Sequence, residues 1–317
     1  MNPALVAALA ADPHAPPIDD VAAWWALWRA PAVAAHASPA ARAVAGGFAA
    51  DRVGWAFAGG YQAALRALVP GLRDDVLAAF CVTEAGGNRP RDIRTTIAPQ
   101  ADGTLRIDGG KRWTTLGPAG TLLLVVGALS SQASDTPPAR PALRVARVPV
   151  PTPGLALEPM PPTRFVPEVP HAEVRLHDVR VRADALLPGD GYDAFVKPFR
   201  TIEDIHVTLA VLAYLLREAR LRDWPAGYRE QVVSTLALLS ALAAEDAQAP
   251  ATHVALAGAL HGAHALYAQA SALWAAAGDD AAAGRWARDA ALFEVAGAAR
   301  AQRARRAWER LGAPAAD

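Results

Sequence analysis

Two adjacent carboxylates, Glu203 and Asp204, sit at the start of a long apolar-rich segment that opens Phe199-Arg200-Thr201-Ile202-Glu203-Asp204. A carboxylate in an apolar setting holds its proton nearer neutral pH and is suited to general base work. The same residues fit a plainer role. Thr201 as an N-cap with Asp204 three residues on is a variant of the capping box, and Glu203 would then only complement the helix dipole. Thr83, Trp113 and Thr115 offer two hydroxyls and an aromatic face, which could border a flat ring with polar edges, yet Thr and Trp are also ordinary strand residues. His261 and His264, with His253 on the same segment, could face a metal. No carboxylate or cysteine accompanies them and there is no H-E-x-x-H, so core or interface histidines and no metal are expected. Cys81 reads as a small buried hydrophobe rather than a nucleophile. Arg300, Arg303, Arg305, Arg306 and Arg310 read as a solvated face near a helix C-terminus. Trp24, Trp25 and Trp28 read as core or subunit contact.

The elements that must position these residues fall into three stretches. Residues 1–78 read as helical, dominated by Ala, Leu and Trp and punctuated by Pro and Gly. Asp19-Asp20 precedes one helix that Pro31 stops. A second run covers Ala40 to Val69, with Gly46-Gly47 and Gly59-Gly60 as a break or as points of close packing. Residues 79–188 read as strands. Asp102-Gly103 and Asp108-Gly109-Gly110 are turn signals around TLRI and KRWTT. TLLLVVGAL suits a strand covered on both faces. Ser130 to Pro141 reads as a polar loop, and the prolines beyond it belong at strand edges or bulges. Frequent turns between short strands predict an antiparallel barrel or sandwich. Residues 189–317 return to helix, with four long helices expected to form an antiparallel bundle whose last member runs to Leu311. The order is not an α/β alternation, and neither G-x-G-x-x-G nor a P-loop occurs.

Composition bounds the function. With 31 Lys and Arg against 31 Asp and Glu, the chain lacks the basic excess of a nucleic-acid or anionic-membrane binder. One Cys excludes an intrachain disulfide framework and makes a reducing, cytoplasmic setting the expectation. From Thr252 to Gly278 there is no Asp, Glu, Lys or Arg, but three His and much Ala predict a buried bundle helix rather than a membrane span.

This order of elements, with four local motifs, resembles the acyl-CoA dehydrogenase family. The motifs are Phe80-Cys81-Val82-Thr83-Glu84-Ala85-Gly86-Gly87, Asp108-Gly109-Gly110-Lys111-Arg112-Trp113-Thr114-Thr115, Leu186-Leu187-Pro188-Gly189-Asp190-Gly191-Tyr192 and Arg288-Asp289-Ala290-Ala291-Leu292-Phe293-Glu294-Val295. The resemblance implies an α+β fold: N-terminal helices, a middle antiparallel β-barrel and a C-terminal four-helix bundle. It also implies non-covalent FAD and oxidation of the Cα–Cβ bond of an acyl-CoA thioester. On it, Thr83 and Thr115 match the flavin-edge threonines, Trp113 the aromatic beside the isoalloxazine, and the Val82 backbone the same edge.

The chain departs from the family pattern. It is shorter, and its first helical stretch is reduced. The R-x-x-F-G motif, whose Arg meets the FAD pyrophosphate of a neighbouring subunit, has no counterpart between Leu221 and Pro250. The Q-x-x-G-G-x-G loop is replaced by LWAAAGDDAAAGRW. The usual catalytic Glu would fall on Ala296-Gly297-Ala298. A subset of the family supplies that Glu from the first bundle helix, and Glu203 lies within one residue of that position, whereas Glu294 is off it. Three functions stay open: an FAD-dependent acyl-CoA dehydrogenase with Glu203 as base, a non-catalytic subunit completing a shared flavin site with a related chain, and a flavin-free scaffold. A homodimer is expected for the first.

Overall fold

The computed structural model describes residues 1–130, 141–278 and 280–312. Most of the loop expected over Ser130 to Pro141, and Asp279 of the Gly278-Asp279-Asp280 turn, lie outside the described residues.

Short side-chain caps and first-turn prolines start the early helices. Asn2 accepts from the Ala4 N–H before α1 (Pro3–Ala10), Asp20 from Ala23 before α2 (Val21–Trp28), and Ser38 from Ala41 before α4 (Pro39–Ala49). Between them lies α3 (Pro31–Ala34), and α5 (Val53–Leu68) follows. Trp24 stacks on Trp28 and on Trp55, whose indole N–H donates to the Ile18 carbonyl at 3.1 Å, so these rings are core. Trp25 is only half-buried, with Arg29 over its ring.

The strands are β1 (Ala78–Cys81), β2 (Thr96–Pro99), β3 (Thr104–Thr115), β4 (Leu122–Leu129), β5 (Leu143–Pro149), β6 (Leu155–Pro159) and β7 (His171–Arg182). They form one seven-stranded sheet in the order β1-β4-β2-β3-β7-β6, with β5 on the other side of β4. The sheet curls, and Ala146 of β5 bridges to Leu186 beyond β7. Its inner face closes on Ile97, Ile107, Leu123, Val125, Val174 and Val179, all fully buried. Most pairings are antiparallel as expected, but β1–β4 and β2–β4 run parallel. β4 is covered on both faces, as its unbroken apolar run requires. Asp108-Gly109-Gly110 is not a turn. It is a bulge within the continuous β3, where a Cβ on Gly109 (φ +147°) would fall 2.6 Å from Thr95 Cα.

The remaining helices are α6 (Lys197–Leu221), α7 (Ala226–Leu242), α8 (Pro250–Ala277), α9 (Asp280–Asp289), α10 (Ala291–Glu294) and α11 (Gly297–Arg310). The single last helix expected from the sequence is therefore broken. Val295 leaves the helical region and Ala296 is left-handed, with φ +66°. α8 shows one buried side, with Leu256, Leu260, Leu266 and Trp274, and an exposed side of Gly258, His261, Gly262 and Ala265. It is half-buried rather than enclosed, and no helix among the described residues is long and apolar enough to cross a membrane.

The chain divides into two compact units. The helical unit comprises Met1–Gly71, Thr163–Glu168 and Phe199–Asp317; the sheet unit comprises Leu72–Pro162 and Val169–Pro198. Within the helical unit the glycine pairs mark close packing, and the helix break falls elsewhere, at residues 50–52. A Cβ on Gly60 would lie 2.6 Å from Val207 Cα, and one on Gly47 would collide with the Ala210 carbonyl, so α4 and α5 meet α6 at backbone distance. The Arg288-Asp289 motif ties the Thr163–Glu168 excursion into this unit. Asp289, fully buried, accepts from the Val166 N–H at 2.7 Å, and Arg288 reaches Glu168 at 3.2 Å.

Candidate active site

The first two motifs are joined inside the sheet unit. β1 ends at Cys81, and the chain then turns through Val82, Thr83 and Glu84. The Arg112 N–H donates to the Thr83 carbonyl at 2.8 Å. Lys111 Nζ lies 2.6 Å from Glu84 Oε1, and Glu84 also accepts from the Arg94 and Thr95 N–H groups and the Thr95 hydroxyl. Burial alone would raise the Glu84 carboxyl, but the Lys111 ammonium and the N–H donors hold it below the ordinary carboxylate range. Burial pulls Lys111 down, opposed by Glu84. This network was missed at the level of sequence. Its signal was parity: Lys111 continues the inward positions of Leu105 and Ile107, and a lysine there needs a carboxylate.

Immediately beyond Lys111, β3 slips register against β7, and Trp113 sits at φ +57°. That bulge turns the indole outward, where it is 51% exposed in an otherwise well-packed sheet. A left-handed backbone at an aromatic residue is strained, and such strain concentrates at functional positions. The Trp113 N–H reaches Met160 Sδ at 3.4 Å, and its ring meets His171 edge-on at 6.1 Å. His171, its proton affinity lowered by burial, is the register partner of Thr115. Val82, Thr83 and Thr115 are half-buried. Neither the Thr83 nor the Thr115 hydroxyl has a hydrogen-bond partner among the described residues. The sheet unit thus gathers Val82, Thr83, Trp113 and Thr115 at one end of β1 and β3. Met160 and His171 join them by tertiary pairing that no local pattern announces.

At the end of the sheet unit a widened turn over Tyr192–Val196 leads into α6, which belongs to the helical unit from Phe199 onward, and Pro198 occupies its first turn, where a missing N–H costs nothing. Thr201 is therefore inside the helix and is not an N-cap. Its hydroxyl meets His253 Nε2 and Arg303 Nη1, each at 3.4 Å. Asp204 is not a capping residue either. Arg300 Nε donates to its Oδ1 at 2.8 Å and Arg303 Nη2 to its Oδ2 at 2.7 Å. These two arginines, expected on a solvated face, are thus drawn inward. Their i,i+3 spacing, which places both on one side of α11, was the available signal.

Glu203, beside this clamp, has no hydrogen bond or ion pair among the described residues. Burial, reinforced by Asp204, raises its carboxyl to about 7 against the opposing pull of Arg300 and Arg200. Glu294 is exposed. His261 is exposed and His264 half-buried, and no metal-binding group of His, Cys, Asp and Glu occurs among the described residues. Cys81 is fully buried, and its thiol is pushed up to about 12 by burial, as befits an inert core residue.

No family model matches the sequence, and no curated protein matches it. Solved structures do match in fold. Butyryl-CoA dehydrogenase from Megasphaera elsdenii aligns at a TM-score of 0.67 and 15% identity over 90% of this chain and 89% of that one. A glutaryl-CoA dehydrogenase from Mycobacterium smegmatis in complex with FADH2 aligns at 0.65 and 15% over 99% and 90%. An FAD-dependent dehydrogenase aligns at 0.67 and 14% over 98% and 95%. Helices, curled sheet and helices in this order give the chain the fold of the acyl-CoA dehydrogenases.

Proposed function

We propose that the protein is an acyl-CoA dehydrogenase-like flavoprotein that binds FAD and removes hydrogen across the Cα–Cβ bond of an acyl-CoA thioester. The observation that carries this reading is the left-handed bulge that turns Trp113 outward, near two threonine hydroxyls that have no hydrogen-bond partner among the described residues. An exposed aromatic face flanked by unpartnered hydroxyls suits a flat heterocycle with polar edges, and the residues fit the isoalloxazine in that sense. Thr83, Thr115 and the Val82 backbone would hold its edges, and Trp113 would wall its face. When bound, FAD supplies a two-electron acceptor for the β-hydride.

Glu203 takes the α-proton on its carboxylate. A free base must be unpaired and must hold protons near the working pH, and Glu203 meets both conditions. The proton is gained by Glu203 and the hydride leaves with its electron pair, so the product is the α,β-unsaturated thioester.

The fit is not uniform. In the stretch where a pyrophosphate Arg would be needed, Arg222 pairs with Glu218 at 2.6 Å and Arg229 with Asp223 at 3.3 Å. Both cations are engaged within the chain. This favours as second reading a site completed by another subunit, either a second copy or a related chain.

The test is anaerobic mixing of the purified protein with acyl-CoA thioesters while the flavin absorbance is followed. Glu203→Gln keeps size and burial but accepts no proton. It should bind flavin normally and lose reduction by about 100-fold or more. Wild-type protein that carries flavin yet is never reduced would sink the dehydrogenase reading. Flavin retained only on co-expression with a related chain would support the shared site.

A further inference from the structure

We propose that Asp204 is a positioning residue that holds Arg300 and Arg303 away from Glu203, so that the neighbouring carboxylate keeps no cationic partner. Each oxygen of Asp204 is taken by a different guanidinium, Oδ1 by Arg300 and Oδ2 by Arg303. Both arginines have a second anchor besides Asp204. Arg300 Nη1 donates to the Phe293 carbonyl at the end of α10 at 3.0 Å, and Arg303 Nη1 donates to Thr201. Two long cations are thereby committed by fork geometry to one acceptor and its surroundings.

Successive residues on a helix point about 100° apart, so Asp204 and Glu203 present separate faces of α6. Arg300 nonetheless lies near enough for its field to be felt at Glu203. Without Asp204, a half-buried guanidinium would turn to the remaining carboxylate, and an opposite charge in contact lowers a carboxyl by about one to three pH units. The other charged or titratable groups around the pair are few. Arg200 is exposed on α6, and Glu294 is exposed on α10. His253 on α8 is bound to Thr201 and to the Ala247 carbonyl, His206 is buried and bonded to the Ile202 carbonyl, and His264 is half-buried on α8. None of these forms an ion pair with Glu203.

The purpose of the arrangement rests on reading Glu203 as the base, but its measurement does not require turnover. The experiment is an isotope-edited infrared titration of the 13C-glutamate-labelled full chain, with Glu203 assigned by the band lost in Glu203→Gln. In Asp204→Asn the Glu203 midpoint should fall by about one pH unit or more. In the double variant Arg300→Gln/Arg303→Gln it should stay raised, because the cations are gone. That variant also covers the case in which Asp204→Asn does not fold. In the triple variant, adding Asp204→Asn should lower the midpoint by clearly less than it does with both arginines present, the remaining drop being the loss of Asp204's own charge beside Glu203; an equal drop in the two backgrounds overturns the inference. An unchanged Glu203 midpoint in folded Asp204→Asn, or a lowered one in the double variant, overturns the inference. If all midpoints behave as stated while no acyl-CoA ever reduces flavin, the dehydrogenase reading fails and the positioning role stands.

Discussion

Lys111 and Glu84 form an ion pair at 2.6 Å that closes the first motif onto the second, with the lysine wholly out of solvent. Removing one partner strands a buried charge. Lys111→Met should destabilise the protein by about 3–5 kcal/mol, read from urea unfolding. Adding Glu84→Gln in the same chain should recover part of that loss. A single Lys111→Met within 1 kcal/mol or so of wild type would show that the pair is not structural.

Trp113 separates stability from ligand binding. Its side chain is exposed and its backbone strained, so Trp113→Gly should leave the thermal midpoint unchanged or slightly raised, since glycine adopts positive φ without cost. Flavin affinity, followed by fluorescence titration, should drop in the same variant. Loss of stability with flavin binding intact would reverse the assignment of this residue from site to scaffold.

Glycine substitutions should sort by packing. Gly60→Ala places a methyl 2.6 Å from Val207 Cα and should cost about 1–3 kcal/mol or more by forcing α5 off α6. Gly258→Ala, in mid-α8 with open space around its Cβ, should instead stabilise by up to about 1 kcal/mol. Denaturation midpoints of the two variants should move in opposite directions.

Glu203 gives stability a pH dependence of definite sign. Its folded-state pKa, about 7, lies above the reference 4.5, so the folded chain binds this proton more tightly than the unfolded one. The contribution is fully present below about pH 4.5 and is lost as pH rises through about 7. Glu203→Gln should therefore be more stable than wild type at about pH 8, by about 1–3 kcal/mol given the partial exposure of the side chain, and close to it at about pH 4. Urea titrations at the two pH values check this.

The strands were legible because they depend on local chemistry, and the residues proposed for the site were legible only as motif positions that the sheet brings to one end of β1 and β3. Asp102-Gly103 does turn, with Gly103 at φ +78°, and β4 shows its double burial as an apolar run. Thr83, Trp113 and Thr115 stood out by motif register. What escaped was decided at a distance. Asp108-Gly109-Gly110 has turn composition, yet pairing with β7 holds β3 straight through it. Thr201 and Asp204 have the spacing of a capping box, but Pro198 and the turn before it start the helix earlier and free both side chains for α8 and α11. The break at Ala296 carries no glycine or proline at the left-handed position itself, so composition gave no warning.

The helical unit is assembled from chain segments separated by almost all of the sheet unit. On a ribosome, Gly47 and Gly60 are made long before Ala210 and Val207, the backbone they fit against. At about 5–20 residues per second the early helices wait on the order of ten seconds for that partner, with α4 and α5 still uncovered. The sheet unit has most of its own segments in hand before then. Synthesis order therefore favours a sheet that closes first and helices that condense last, and truncation just before α6 would leave the α4 and α5 surface without the helix it was shaped to meet.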